Sequence, residues 1–417
     1  MNALFFLLGA SLPFATVGPE ISSRFYLNPS ILLGVLLGFI GLIALGMTAR
    51  AFAAALMLLF FAATAVGHPF SSYALSISAF AVVLLPVVMP LPNPERTHAL
   101  LRGYVYGLVF TLIFMWLEIT LQVIGLGAVR DAISTLFTDP SQLYRASNYF
   151  AFYYRPYATF SEPAHLGIFL AMSIAILDQM TSPFSRRLKK IAAVSVFFTG
   201  SLVGLFVAGT YLAAKLMSGN FPARLGGIRI NRGRVITLGV VVIVALIAAP
   251  AVVEMTGGGD LLLSLLDRFD RLRIALLTGA QSGSEGSRAN AILLLGRYWQ
   301  DTGISGFLFG EGYGNYSAWL VENFGHLGQF STAARGQIDN MLVAVFISTG
   351  LFGFIPYLAF IATLIRPAPP GRRLLVFMMI LILQFGSGFL LFYLNWQLPF
   401  VLMVATRMNY PKFLQEN

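Results

Sequence analysis

Apolar residues in this chain fall into long runs broken by short polar stretches. The runs lie near 3–18, 31–48, 51–67, 74–92, 99–125, 164–180, 191–217, 235–253, 338–365, 374–392 and 398–408. Many approach the length of about 18 to 25 residues needed to cross a hydrocarbon core. A helix satisfies its own backbone in lipid, so the pattern predicts an all-α polytopic membrane protein.

The polar stretches between the runs supply a topology. Lys and Arg gather at Arg50, at Arg96 and Arg102, in 182–190, in 215–234, in 366–373, and at Arg407 and Lys412. The positive-inside rule makes those segments, and both termini, cytoplasmic. Segment 191–217 has basic flanks on both sides, so it reads as a hairpin of two short helices turning near Thr199, Gly200 and Ser201. The total is roughly twelve embedded helices in a single membrane domain spanning 1–417. Two loops, 127–163 and the large helical 254–337, are then extracytoplasmic.

Composition agrees with that class. Of the 417 residues 57% are hydrophobic and 11% charged, and the net charge of +10 reads as a topology signal, not as nucleic-acid binding. There is no Cys, and His68, His98, His165 and His326 show no ligand spacing, so neither thiol chemistry nor a metal or cofactor is expected. The N-terminal MNALFFLLGASLPFATVG lacks a basic n-region and a small-residue cleavage site, which predicts a retained first span.

Candidate chemistry lies in the two outer loops. In YYRPYATFSEPAHLG, Tyr153–Gly167, Pro163 suits the first turn of a helix capped by Ser161 or Glu162. The free N–H groups of that helix face the outer side, where they suit an anion. Arg155 precedes it, held extended by Pro156, and Arg145 lies in the same loop. Glu162 is either a helix-start charge or an acid, base or sugar-hydroxyl acceptor. In the second loop, 262–277 shows an apolar helical stripe with Arg and Asp alternating on its other face. In SRANAILLLGRYWQ, Arg288 shares a face with Ile292, Leu295 and Trp299, and Arg297 faces the opposite way. GFLFGEGYGNY, Gly306–Tyr316, reads as tight turns with close backbone approach. Glu118 is an intramembrane carboxylate, either functional or bonded to a neighbouring helix.

Taken in order, these motifs resemble the bacterial O-antigen polymerase and ligase superfamily of membrane glycosyltransferases. Arg155, Phe160, Glu162 and Pro163 match its Arg then Phe-x-Glu-Pro; Arg288, Gly310–Gly314 and the stretch Asp339–Gly353 follow in its order. Asp339 stands where the ligases carry histidine, which points to a polymerase.

The resemblance implies a GT-C-like fold in the cytoplasmic membrane of a bacterium, with the active site on the extracytoplasmic face. It also implies a metal-independent inverting transfer from a polyprenyl-diphosphate-linked glycan to a second lipid-linked unit. Arg155 and Arg288 would stabilise the diphosphate, and Glu162 or Asp339 would handle the acceptor proton. Further candidates for substrate contact are Arg145, Tyr157, His165, Arg297, Arg335, Asn340 and Glu118. Implied partners are the lipid bilayer, the lipid-linked donor and acceptor, a flippase and a chain-length regulator. Three alternatives stay open: a ligase acting on lipid A core, a lipid-linked oligosaccharide flippase or other transporter, and a structural membrane scaffold.

Overall fold

A computed structural model describes residues 1–14, 20–22, 25–26, 28–64, 70–137, 156–160, 162–217, 224–225, 228–229, 283–313, 316–324, 338, 340–386 and 394–408. The helices are α1 (Asn2–Ser11), α2 (Pro29–Leu45), α3 (Ala49–Thr64), α4 (Phe70–Val88), α5 (Pro94–Val123) and α6 (Gly127–Ser134). There follow α7 (Pro163–Leu177), α8 (Pro183–Phe198), α9 (Leu202–Met217), α10 (Gly283–Phe309) and α11 (Tyr316–Phe324). Last come α12 (Met341–Ile365), α13 (Pro370–Gly386) and α14 (Leu394–Met408). Two antiparallel pairs, β1 (Glu20–Ser22) with β2 (Phe25–Tyr26) and β3 (Arg224–Leu225) with β4 (Ile228–Arg229), complete the described elements.

Polar caps set several of the helix starts. Asn28 accepts from the N–H of Ile31 at 2.9 Å ahead of Pro29, and Asn93 accepts from Arg96 at 2.9 Å ahead of Pro94. Ser182 accepts from Ser185 at 3.0 Å ahead of Pro183, and Asn340 accepts from Val343 at 3.2 Å to open α12. Each satisfies a free N–H of the first turn, and the prolines lose nothing there because their nitrogen would be unpaired.

The expected dozen embedded helices are not found, and the polytopic, GT-C-like architecture and its multi-pass localisation are corrected accordingly. Among the described residues two helices, α5 and α12, are long and apolar enough to cross a membrane, or three if α2 and α3, bent by 112° at their junction, form one broken span. The remaining apolar helices have 10 to 17 residues. The physical reason is that caps and breaks cut the runs. The run near 164–180 becomes the 15-residue α7 between Glu162 and Asp178, about 22 Å long against a hydrocarbon core of about 30 Å. The run near 235–253 and the amphipathic 262–276 lie outside the described residues.

The hairpin expected in 191–217 is present, with Gly200 at φ 56° between α8 and α9. Its first arm starts earlier than expected, at Pro183, so the basic SRRLKK is helical and not a loop.

The centre of the bundle is α7 and α14, both 15 residues long and buried from one end to nearly the other. Around them, side-chain contacts fix helix directions. Tyr104 meets Ser173 at 2.5 Å while Glu118 meets Tyr157 and Ala158, so α5 runs opposite to α7. Asp178 meets Lys215, and Gly167 abuts Ser201, so α7 and α9 run together. The starts of α5, α8 and α13 and the ends of α9, α12 and α14 therefore share one end of the bundle. That end carries Arg96 and Arg102, Arg186 to Lys190, Arg372 and Arg373, Lys215, Arg366 and Arg407 against Glu95 and Asp178. Among the described residues at the other end are Glu118, Asp131 and Glu162 together with Arg130.

Two features bear on surroundings. Large apolar side chains face outward on several helices, among them Ile43 (83% exposed), Phe52 (61%), Leu59 (64%), Ile113 (59%) and Phe197 (64%). Helix α1 lies parallel on α5 through glycines: a Cβ on Gly103 would sit 1.9 Å from the Phe6 carbonyl oxygen, and one on Gly9 would sit 2.1 Å from that of Leu100. Gly103 and Gly107 form a G-x-x-x-G face, a spacing that lets helix backbones touch without an apolar solvent effect to drive them.

Candidate functional site

The stretch that opened the functional reading is held by a buried carboxylate. Glu118, about one and a half turns before the C-terminal end of α5, is fully buried. Its Oε1 accepts from the Ser134 hydroxyl at 2.7 Å, and its Oε2 accepts from the consecutive backbone N–H groups of Tyr157 (2.8 Å) and Ala158 (3.0 Å). Three hydrogen bonds thus converge on one buried carboxyl. They hold Ala158 at φ 50°, a left-handed conformation that residues with a Cβ rarely adopt.

Arg130 supports the clasp from α6. It is buried, donates to the Gln122 side-chain oxygen, and pairs with Asp131 at 2.5 Å. The held turn is buried throughout: Tyr157, Ala158, Thr159 and Phe160 are all covered, and the Phe160 ring lies 5.3 Å from that of Phe169 in α7. At its end the exposed Glu162 takes extended geometry as the cap residue of α7, without a side-chain capping bond, and Pro163 fills the first position as expected. His165 is half-buried in the first turn.

A second fixed feature is a crossing of two backbones. Helix α12 is interrupted at Gly350 (φ 57°, ψ −163°), and the turn after α10 passes there, with the Glu311 N–H donating to the Ile347 carbonyl at 2.9 Å. A Cβ on Gly310 would lie 2.5 Å from the Ser348 carbonyl carbon, and one on Gly350 would lie 2.4 Å from that of Leu308. Gly310 of GEGYG thus serves close backbone approach, as the sequence suggested. Beside them the Tyr298 hydroxyl donates to the Gly306 carbonyl at 2.9 Å, and burial and the Glu311 carboxylate push this phenol well up.

The other candidates scatter. Arg145, Arg155, Arg335 and Asp339 fall outside the described residues, as does the side chain of Arg288. Arg297 is exposed. The buried stripe of α10 runs through Ala291, Leu294 and Tyr298, not through Leu295 and Trp299, the latter 58% exposed. Asn340 is buried as a helix cap, so its side chain has a structural task. Sequence reasoning missed Ser134, Arg130 and the N–H groups of Tyr157 and Ala158 as partners of Glu118. The signal available was Gln122, one turn from Glu118 on the same face, followed by a basic residue eight positions on.

No family model and no curated protein matches this chain. The resemblance to O-antigen polymerases and ligases is overturned by the architecture: two long apolar helices, or three, do not make that polytopic fold. With it fall the inverting glycosyl transfer, the ligase alternative and the flippase alternative. Each required a many-span bundle as its frame.

Proposed function

We propose that this chain is a bilayer-anchored helical binding protein that presents Glu162 and the first turn of α7, preceded by the buried turn Tyr157–Phe160, at the end opposite its basic face. The observation that carries the reading is the Glu118 clasp, a fully buried carboxylate that uses two of its three hydrogen bonds to hold a loop backbone at positive φ. A buried carboxyl is costly, and one spent on holding the turn that leads to the exposed Glu162 is a mark of function more than of stability. The outward apolar side chains of α2, α3, α5 and α8 support lipid as the surrounding medium.

The ligand class that the residues themselves suit is an amphipathic phosphate-bearing glycan, met by Glu162, His165 and the first turn of α7. Glu162 suits sugar hydroxyls, and the free N–H groups behind Pro163 suit a phosphate. The test uses full-length protein in phosphatidylcholine nanodiscs and an oligosaccharide phosphate carried on an alkyl chain. Saturable binding that weakens about tenfold in Glu162→Gln, the loss of one charge-assisted bond, is expected. Absence of saturable binding to the wild type overturns the reading.

A further inference from the structure

The end of α10 folds back on itself. Gly303 takes φ 64° and ψ −161°, and a Cβ there would meet nothing within 4 Å, so this glycine serves a turn of the backbone and not a close contact. Across the turn the Trp299 and Phe307 rings lie 4.3 Å apart, and the Tyr298 hydroxyl donates to the Gly306 carbonyl at 2.9 Å. In an unbroken helix, residues eight apart stand about 12 Å apart along the axis. The fold-back leaves Ile304, just past the turn, 80% exposed and Trp299 58% exposed.

Continuity and depth together say what this apolar tip meets. The Phe309 ring stacks on that of Phe352 in α12 at 5.0 Å, and Phe352 lies 6.4 Å from Phe60 of α3. Phe352, Ile355 and Leu358 continue along α12 as an exposed stripe, on a helix that carries no charged residue. The tip thus adjoins the outward apolar surface assigned to lipid. Its depth follows from Phe307, whose ring packs at 5.6 Å on that of Phe346 in α12. Phe346 stands twenty residues before Arg366 at the basic end. That is about 30 Å along a helix, the thickness of a hydrocarbon core.

At that level the surface changes character, for Arg297, Gln300 and Asp301 are exposed around Trp299. A large aromatic ring with a polar handle, set among charges at the edge of an apolar band, is the pattern of a membrane–water interface. The core of a contact between protein copies would be depleted of such charges.

We propose that the folded-back end of α10 is an interfacial anchor: Trp299 and Ile304 enter the headgroup layer of the leaflet on the Glu162 side and set the depth at which α12 sits. The inference rests on the bilayer reading of the chain and is independent of the ligand assigned to Glu162.

The experiment places the full chain in phosphatidylcholine nanodiscs, with a spin label at Ile304→Cys or, in a second protein, at Leu358→Cys, the chain having no Cys of its own. Power saturation reads collisions with oxygen, which concentrates in lipid, and with a nickel chelate, which stays in water. The label at 358 should meet oxygen and not the chelate, whereas the label at 304 should meet both. Trp299 gives a second reading: the fluorescence lost in Trp299→Phe should be quenched more by a nitroxide on the headgroup than by one at the end of an acyl chain. The reverse order overturns the anchor. So does a label at 304 that meets the chelate alone while the label at 358 stays in lipid, and that result leaves the bilayer reading intact. A label at 304 that meets neither probe places protein over the tip, and one that meets oxygen alone places it in the hydrocarbon; either overturns the proposal. A label at 358 that meets the chelate overturns the bilayer reading and the anchor with it.

Discussion

Gly310 and Gly350 lie back to back, each occupying the space that a side chain on the other strand of chain would need. Gly350 has φ 57° and ψ −163°, a region open essentially to glycine alone, and a Cβ there would meet the Leu308 carbonyl carbon at 2.4 Å. Gly350→Ala therefore adds backbone strain of about 1–3 kcal/mol to a clash that only backbone movement relieves. Its expected effect is a loss of at least about 3 kcal/mol, read as a lower melting temperature of the reconstituted protein. Gly371→Ala, where a Cβ meets nothing within 4 Å, is the control and should change little.

The Glu118 clasp makes a graded prediction. Glu118→Ala leaves the N–H groups of Tyr157 and Ala158 buried without their acceptor, a loss of roughly 2–4 kcal/mol. Glu118→Gln keeps one oxygen for them and should cost about half as much. Hydrogen exchange at 157 and 158 reads the effect locally. Faster exchange at these amides in Glu118→Ala is expected, and unchanged exchange would mean that the loop is held by its buried aromatic side chains instead.

Helix α1 depends on the glycine face of α5. Because a Cβ on Gly103 would lie 1.9 Å from the Phe6 carbonyl oxygen, Gly103→Leu must push α1 away. The natural absence of Cys permits a clean distance test. Paired spin labels at Leu7 and Tyr106, both on the outer surface, should separate by several ångströms in the variant, about half a helix diameter at most.

Which parts of this picture were legible beforehand follows from the range of each interaction. The start of α7 at Pro163 and the turn at Gly200 are local, set by proline geometry and by a short polar break, and both stand where the sequence places them. The number of spans was misjudged because each apolar run was taken as a span whatever the length of its helix: the run near 164–180 holds a helix of 15 residues, ended at Asp178. Glu118 could be recognised as buried and unusual, but not its partners, which are backbone groups 39 and 40 residues away and carry no side-chain signature. The same holds for Arg50, whose guanidinium meets the Met89 carbonyl and the Phe400 ring, groups far from it in the chain.

Asp178 supplies the pH prediction. It follows the last residue of α7 and accepts from Lys189 on α8 and, at 2.6 Å, from Lys215 on α9. Burial alone would raise its carboxyl, but the bonds from Lys189, Lys215 and Tyr211 outweigh burial and hold it at about 2. The folded value is thus below the unfolded one, so the unfolded chain binds the proton first as pH falls. The stabilisation is complete above about pH 4, where the unfolded carboxyl is ionised, and is lost as pH drops from there toward 2. Its size is about 2 kcal/mol, the two lysines being partly exposed to screening. Wild-type protein should lose its stability advantage over Asp178→Asn across that window, in urea melts at a series of pH values in one detergent. An advantage that stays constant from pH 6 down to 3 would show that the three helices are held at this end by packing and not by the shared carboxylate.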